Sequence, residues 1–306
     1  MPLCADARRH RIFTKEGNIM KLGFNEANDR GCEGHTVMKD LEFCEKYGFD
    51  YIDIQSECLD RDLEAGITTV EEIGEWFKNH RLKMLSYNAL QFFNMKQTRA
   101  EHEAVMALLD KIIGRCNILG CKTIVVVPSM DLKVDATIPE IKADAVAVLR
   151  EMLTKVEPYG IKLSLEFCGG PTMSINRFED AYAIVKAVDS PLVGLTLDQY
   201  HFHAMASDWG ALEKADGRRI FIWHLNGMED MPCGAAYNDD TKRLWPDDPK
   251  DCLDHRRYAD TLKKIGFAGG ACTIEIFRPE YYKLSQEENV KKSAAVTRAH
   301  VAKYWG

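Results

Sequence analysis

The sequence predicts a (β/α)8 barrel, an α/β fold, on three observations. Eight short apolar runs alternate with longer segments of helical period. Each of the last four runs carries a carboxylate or an imidazole at its end or one residue before it. The length of 306 residues suits one such barrel, which takes roughly 250 residues.

The apolar runs lie at 21–25, 51–54, 83–87, 123–128, 162–166, 194–198, 221–224 and 273–276. Several are dense in β-branched residues, above all Thr123-Ile124-Val125-Val126-Val127. Such runs suit parallel strands buried on both faces. Helices fill the gaps. In 36–47, Val37, Leu41 and Cys44 recur at helical spacing. In 69–80, Thr69 opens the segment and Glu71 and Glu72 sit near its positive end. Segments 100–119, 138–159, 177–188, 256–265 and 286–304 follow the same logic, with a shorter helix at 208–215. Gly48, Gly120, Gly160 and Gly266 stand where four of these helices must turn into the next strand.

Strict alternation favours a closed parallel barrel over an open doubly wound sheet. The dinucleotide-binding form of the open sheet also needs GxGxxG after an early strand, and none stands there. No linker interrupts the pattern, so 20–306 reads as a single catalytic barrel domain. Residues 1–19 are polar and basic, without the apolar stretch of a signal peptide. They read as an extension outside the core, with Met20 a candidate start.

Composition narrows the function classes. Hydrophobic residues at 46% and charged residues at 28% describe a folded globular chain. A net charge of -7 argues against nucleic acid or an anionic membrane as partner. No run approaches the ~18 apolar residues of a membrane helix. Ten cysteines occur without a CxxC pair, several inside apolar runs, as Cys272 is. They read as reduced thiols of a cytoplasmic protein.

The chemistry gathers where the strands end. The fifth run ends on Glu166, the sixth on Asp198, the seventh on His224, and the eighth carries Glu275. Strand C-termini of a barrel converge on one mouth, where active sites are built. A buried carboxylate is costly without compensation, and three together repel. One divalent cation resolves both problems. Three carboxylates and one imidazole favour Mn2+ over a thiolate-type zinc site, with Zn2+, Co2+ or Mg2+ as alternatives. Asn25-Glu26 after the first strand and Asn88 after the third bring polar groups to the same mouth. His201 and His203 follow the sixth strand, and on an extended chain both would face one way, with His201 the better substrate contact. Arg243 and Trp245 lie in the long loop after the seventh strand, suited to a polyol's hydroxyls and ring face. The substrate-binding candidates are therefore His201, Asn88, Arg243, Trp245 and Glu26.

At these residues the sequence resembles the sugar isomerase and epimerase barrels related to xylose isomerase and endonuclease IV. Within them it is most similar to the inosose isomerases of myo-inositol catabolism. The resemblance runs over about 20–304. It rests on Lys21-Leu22-Gly23-Phe24-Asn25-Glu26-Ala27, Asn88-Ala89-Leu90-Gln91-Phe92-Phe93-Asn94, Leu165-Glu166-Phe167, Leu197-Asp198-Gln199-Tyr200-His201-Phe202-His203-Ala204-Met205, Ile222-Trp223-His224 and Glu275-Ile276-Phe277-Arg278-Pro279-Glu280-Tyr281-Tyr282-Lys283-Leu284. The resemblance implies a xylose isomerase-like barrel, with Glu166, Asp198, His224 and Glu275 on the metal and proton transfer through an enediolate. Two positions depart from the pattern. Pro246-Asp247-Asp248-Pro249 replaces a common Pro-Gly-x-Gly turn, and Gln55 stands where a basic residue is typical.

The expected reaction moves the ketone of 2-keto-myo-inositol to the adjacent carbon. Glu166 and Glu275, on opposite sides of the carbon skeleton, are the catalytic pair: one removes a proton, the other returns one. A ketose 3-epimerase would use the same metal and glutamates. So would a keto-sugar lyase, an inosose dehydratase or a C-glycoside-cleaving subunit, the last with a small partner chain. Endonuclease IV-like hydrolysis needs several metals and a basic face, against the -7 charge. A silent metal-binding protein would not need so complete a ligand set. The partner is thus a small polyhydroxylated ketone, with neither nucleic acid nor membrane, and the resemblance adds a homo-oligomer.

Overall fold

The computed structural model describes residues 20–234 and 240–305; the extension expected over 1–19 lies outside them. Eight parallel strands close into a barrel: β1 (Lys21–Asn25), β2 (Tyr51–Gln55), β3 (Lys83–Leu90), β4 (Thr123–Val126), β5 (Lys162–Glu166), β6 (Val193–Asp198), β7 (Ile220–Leu225) and β8 (Ala271–Ile274). Each pairs with its sequence neighbours, and β1 closes the ring on β8. This removes the sheet edges that an open form would expose.

The outer layer is helical: α1 (Val37–Tyr47), α2 (Ser56–Glu64), α3 (Val70–Asn79), α4 (Arg99–Leu119), α5 (Ile138–Val156), α6 (Phe178–Val188), α7 (Gln199–Ala204), α8 (Trp209–Leu212), α9 (His255–Lys264) and α10 (Gln286–Trp305). Their starts are chemically marked. Thr69, Thr98 and Thr137 each form a capping box with Glu72, Glu101 and Glu140. Each such cap contributes about 1 kcal/mol by serving orphan N–H groups. Gly48, Gly120, Gly160 and Gly266 take φ of 81°, 71°, 62° and 73°, the left-handed turn that leads back into a strand.

The core lies between barrel and helices, around fully buried Phe24, Phe49, Phe178 and Trp223. The barrel interior is more polar than a purely structural core would be. Asp53, Ser86, Ser164, Thr196, His224 and Thr273 are all at 0% exposure. Ser164 and Thr196 hydroxyls pair at 2.8 Å. No helix among the described residues is long and apolar enough to cross a membrane. Their nine cysteines are free thiols.

Two helices escaped the sequence pattern. α2 starts directly after β2 with no loop, and its cap residue Gln55 makes no side-chain capping bond. α7 starts directly after β6, where Asp198 accepts the His201 N–H at 2.9 Å. β3 runs on to Leu90 and so carries Asn88 within the sheet. β8 stops at Ile274, leaving Glu275 one residue past its end.

Candidate active site

Register brings the four strand-end donors together. Asp198 and His224 are direct partners across β6 and β7. The Glu275 N–H bonds the Leu225 carbonyl at 3.0 Å, which brings its side chain beside His224. Glu166, Asp198, His224 and Glu275 offer ligand atoms all within 4.8 Å of one another. None of the four is more than 4% exposed.

Each donor is held by a different set of partners. His224 Nδ1 lies 2.8 Å from Glu166 Oε1 and 3.2 Å from Glu275 Oε2. Asp198 Oδ1 caps α7, while its Oδ2 accepts from Arg243 Nη1 at 2.6 Å and Asn226 Nδ2 at 2.9 Å. Glu275 Oε1 accepts from Asn25 at 2.9 Å and Asn88 at 3.4 Å, and its Oε2 from Arg243 at 3.1 Å.

The electrostatics are those of a cation site. Burial works against charge on His224, yet the Glu275 and Glu166 carboxylates drive its pKa well above the ordinary imidazole range. Burial raises the Glu166 carboxyl. Burial also pushes Glu275 upward, but the His224 ring and the Arg243 guanidinium hold it down at about 2. Carboxylates that pull this strongly on a neighbouring ring favour any positive charge placed among them. Mixed oxygen and imidazole donors on four adjacent strands can hold one divalent ion.

The set opens on a cavity of about 440 Å3. Glu166 and Glu275 line it, whereas Asp198 and His224 stand behind. Gln55, Asn88, Gln91, His201 and Arg243 add polar wall; Val127, Met173, Tyr200 and Phe277 add apolar wall. At the mouth, Arg30 pairs with Glu57 at 2.8 Å and lies 4.7 Å over the Phe277 ring. A polar wall beside an aromatic face suits a polyhydroxylated ring.

Of the substrate candidates read from sequence, His201, Asn88 and Arg243 stand in this wall. Arg243 Nη2 lies 3.2 Å from His201 Nε2, and its guanidinium sits 4.7 Å over Tyr200 and 5.3 Å over Phe277. Glu26 and Trp245 are not among the residues that line this cavity. Glu26 is fully buried beneath β2, accepting the Gln55 N–H at 2.8 Å. Trp245 stacks on Tyr281 at 3.5 Å, under Lys292. His203 also turns away, because α7 rather than an extended chain carries it: residues two apart on a helix face nearly opposite sides. It packs near Cys252, 4.0 Å from the thiol.

The two departures from the family pattern separate as well. Gln55 lines the cavity and donates to Asn25 Oδ1 at 2.7 Å. Asp247 takes the left-handed φ of 64° that a glycine would otherwise supply. Its carboxylate docks on Lys303 and Tyr304 of α10 at 2.6 and 2.8 Å, outside the cavity wall. Sequence reasoning missed Asn226 and Asp53. The signal for Asp53 was present: a charged residue in the middle of the apolar run Tyr51-Ile52-Asp53-Ile54.

A second set of ligand-type atoms, from Glu26, His35 and Asp40, also lies within 4.8 Å. There the His35 ring is served on both sides, by Arg61 Nη2 at 2.6 Å from Nδ1 and Asp40 Oδ2 at 2.7 Å from Nε2. Its partners satisfy it without an ion.

Comparison with known proteins agrees with this architecture. Residues 41–300 match the xylose isomerase-like TIM barrel family. An inosose isomerase of Bacillus velezensis is 40% identical over 287 residues, covering 94% of this chain and 99% of the relative. One of Bacillus subtilis is 39% identical over 298 residues, with the same coverage. A crystal structure of the IolI protein with a bound zinc atom is 39% identical. It superimposes with a TM-score of 0.88, covering 94% of this chain and 100% of that one.

Proposed function

The chain belongs to the xylose isomerase-like TIM barrel family, and we propose that it is a divalent-metal-dependent isomerase of an inosose, moving the ketone of 2-keto-myo-inositol to the adjacent carbon. The observation that carries the reading is the division of the donor set: of four clustered donors, the two glutamates face the cavity. That is the arrangement a proton transfer at carbon requires, with two carboxylates in reach of substrate. Similarity to inosose isomerases along 94% of the chain supports the substrate.

Glu166, Asp198, His224 and Glu275 would hold the ion. When bound, it supplies a Lewis acid that polarises the ketone and lowers the cost of the enediolate. Mn2+ is the ion we favour from the oxygen-rich set; zinc, present in the related crystal structure, suits the same donors.

The protein's own groups do the rest. One glutamate takes the proton from the carbon that bears the neighbouring hydroxyl, and the other delivers one to the former carbonyl carbon. The hydroxyl proton shifts to the other oxygen, so the composition of the substrate is unchanged. Asn25, Asn88 and Arg243 fix the Glu275 carboxylate through both oxygens. Glu166 is tied by Oε1 to His224. His201 and Asn88 offer hydrogen-bonding groups in the wall, with Phe277 a face for the ring. The same reading places the enzyme in the cytoplasm, in inositol catabolism, with a homo-oligomer as its assembly.

The test is proton exchange. Protein stripped with EDTA and reloaded with Mn2+ or Zn2+ is incubated in D2O with 2-keto-myo-inositol and, separately, with fructose. Reactions are quenched with EDTA and read by NMR. Deuterium at carbon with a displaced inosose ketone is expected. Silence on inosose, with epimerisation of fructose, would replace the substrate assignment.

A further inference from the structure

We propose that Asp53 is the positioning residue that fixes the ring of His224 for metal binding through Nδ1. The inference rests on the metal reading above and concerns an atom outside the donor set.

His224 presents Nδ1 to the glutamates, 2.8 Å from Glu166 and 3.2 Å from Glu275. An imidazole that ligates through Nδ1 is neutral and must carry its proton on Nε2. That proton needs an acceptor, because the ring is at 0% exposure. Asp53 Oδ2 faces Nε2 at 3.6 Å across the barrel interior. Neither atom has a hydrogen-bond partner within 3.5 Å, and both are buried. The other carboxylate oxygen, Oδ1, is occupied by the Ser86 hydroxyl at 2.6 Å, which sets the direction of Oδ2. β2 thereby contributes a carboxylate aimed at a ligand on β7. Histidines that bind metals commonly donate their second N–H to such a carboxylate, and its loss typically costs about 10–100-fold in metal affinity.

The substitution Asp53→Asn is isosteric and keeps an oxygen for Ser86. Its amide N–H would then face Nε2, which must turn acceptor. The ring proton moves to Nδ1, the nitrogen needed for the metal. An analogous Asp-to-Asn change in a catalytic triad leaves the geometry intact but selects the wrong tautomer.

Zinc serves as the diamagnetic probe. In 15N-histidine-labelled wild-type protein, long-range 15N–1H spectra should show His224 ligated at Nδ1 and protonated at Nε2. Zinc competition with a chelating dye should show D53N weakened by about 10–100-fold, with the Nδ1–H tautomer in its zinc-free spectrum. Zinc on Nε2 in the wild type overturns the inference without any variant, so a D53N chain that fails to fold does not block the test. Equal zinc affinity in wild type and D53N overturns this inference alone. A wild type that binds no zinc overturns the metal reading and this inference together.

Discussion

Replacing Arg243 with Met tests whether the site is organised around charge. The guanidinium is fully buried and faces Asp198 Oδ2 at 2.6 Å and Glu275 Oε2 at 3.1 Å. Met keeps much of the volume and removes the charge. Breaking one side of a buried ion pair costs about 3–5 kcal/mol, because it strands a charge in low dielectric. Here two carboxylates lose the same partner. At about 2 °C per kcal/mol for a chain of this size, the metal-free variant should melt about 6–10 °C below the metal-free wild type. A bound divalent ion neutralises the same two carboxylates, so saturating zinc should recover more of the Tm in the variant than in the wild type. Removing a neighbouring cation should also tighten zinc binding. Calorimetry in EDTA and in excess zinc reads all three. An equal Tm loss with and without zinc would refute the charge argument. It would point instead to uncharged contacts of Arg243, among them its packing on Tyr200 and Phe277.

Three further outcomes follow from the geometry. Glu166→Gln should retain zinc at reduced affinity while turnover and deuterium exchange fall together by about two to four powers of ten; near-full activity would remove Glu166 from proton transfer. His300 is buried under Trp223 and Tyr304, and burial holds its pKa down at about 4 against an ordinary 6.5, despite Asp247 at 3.7 Å. The unfolded chain therefore binds this proton first, so stability is whole above pH 6.5 and falls toward pH 4. At ~1.36 kcal/mol per pH unit the loss approaches about 3 kcal/mol, and urea unfolding of His300→Phe should lack it; an unchanged pH slope would refute the assignment. Gly74→Ala lies inside α3, where helix propensity alone would gain about 1 kcal/mol. A Cβ there would meet the Ile118 carbonyl at 2.6 Å. The expected result is a loss of about 1–3 kcal/mol, and a raised Tm would show that α3 can shift away from α4.

The strand-end residues were legible because a strand's end is written in its sequence. Glu166, Asp198 and His224 each close an apolar run, and a barrel sends all such ends to one mouth. What lay between elements was less legible. The stretch from Gln199 reads equally well as extended or helical, and the decision rests on Asp198 acting as a cap, a contact visible only in three dimensions. That one decision separates His201, in the wall, from His203, behind it. Trp245 and Asp247 were illegible for another reason. Their loop is fixed by α10, more than 40 residues later, through Lys303 and Tyr304. Glu26 sits beside Asn25 in sequence, but the turn after β1 sends one side chain to Glu275 and the other under Gln55.

The way each donor is held points to a division of labour. Asp198 has one oxygen committed to the start of α7 and the other to Arg243 and Asn226. It cannot turn without disturbing the helix that places His201. His224 is enclosed by Glu166 and Glu275 on one side and Asp53 on the other. Neither residue lines the cavity, and their geometry suits them to fix an ion. Glu166 and Glu275 do reach it, and they differ. Glu275 accepts hydrogen bonds from three side chains, whereas Glu166 is tied chiefly to the His224 ring. A carboxylate with many donors holds its charge, and one with few takes up a proton more readily. For the proposed reaction, in which one glutamate removes a proton and the other returns one, such inequality separates a carboxylate that holds its charge from one that takes up a proton more readily.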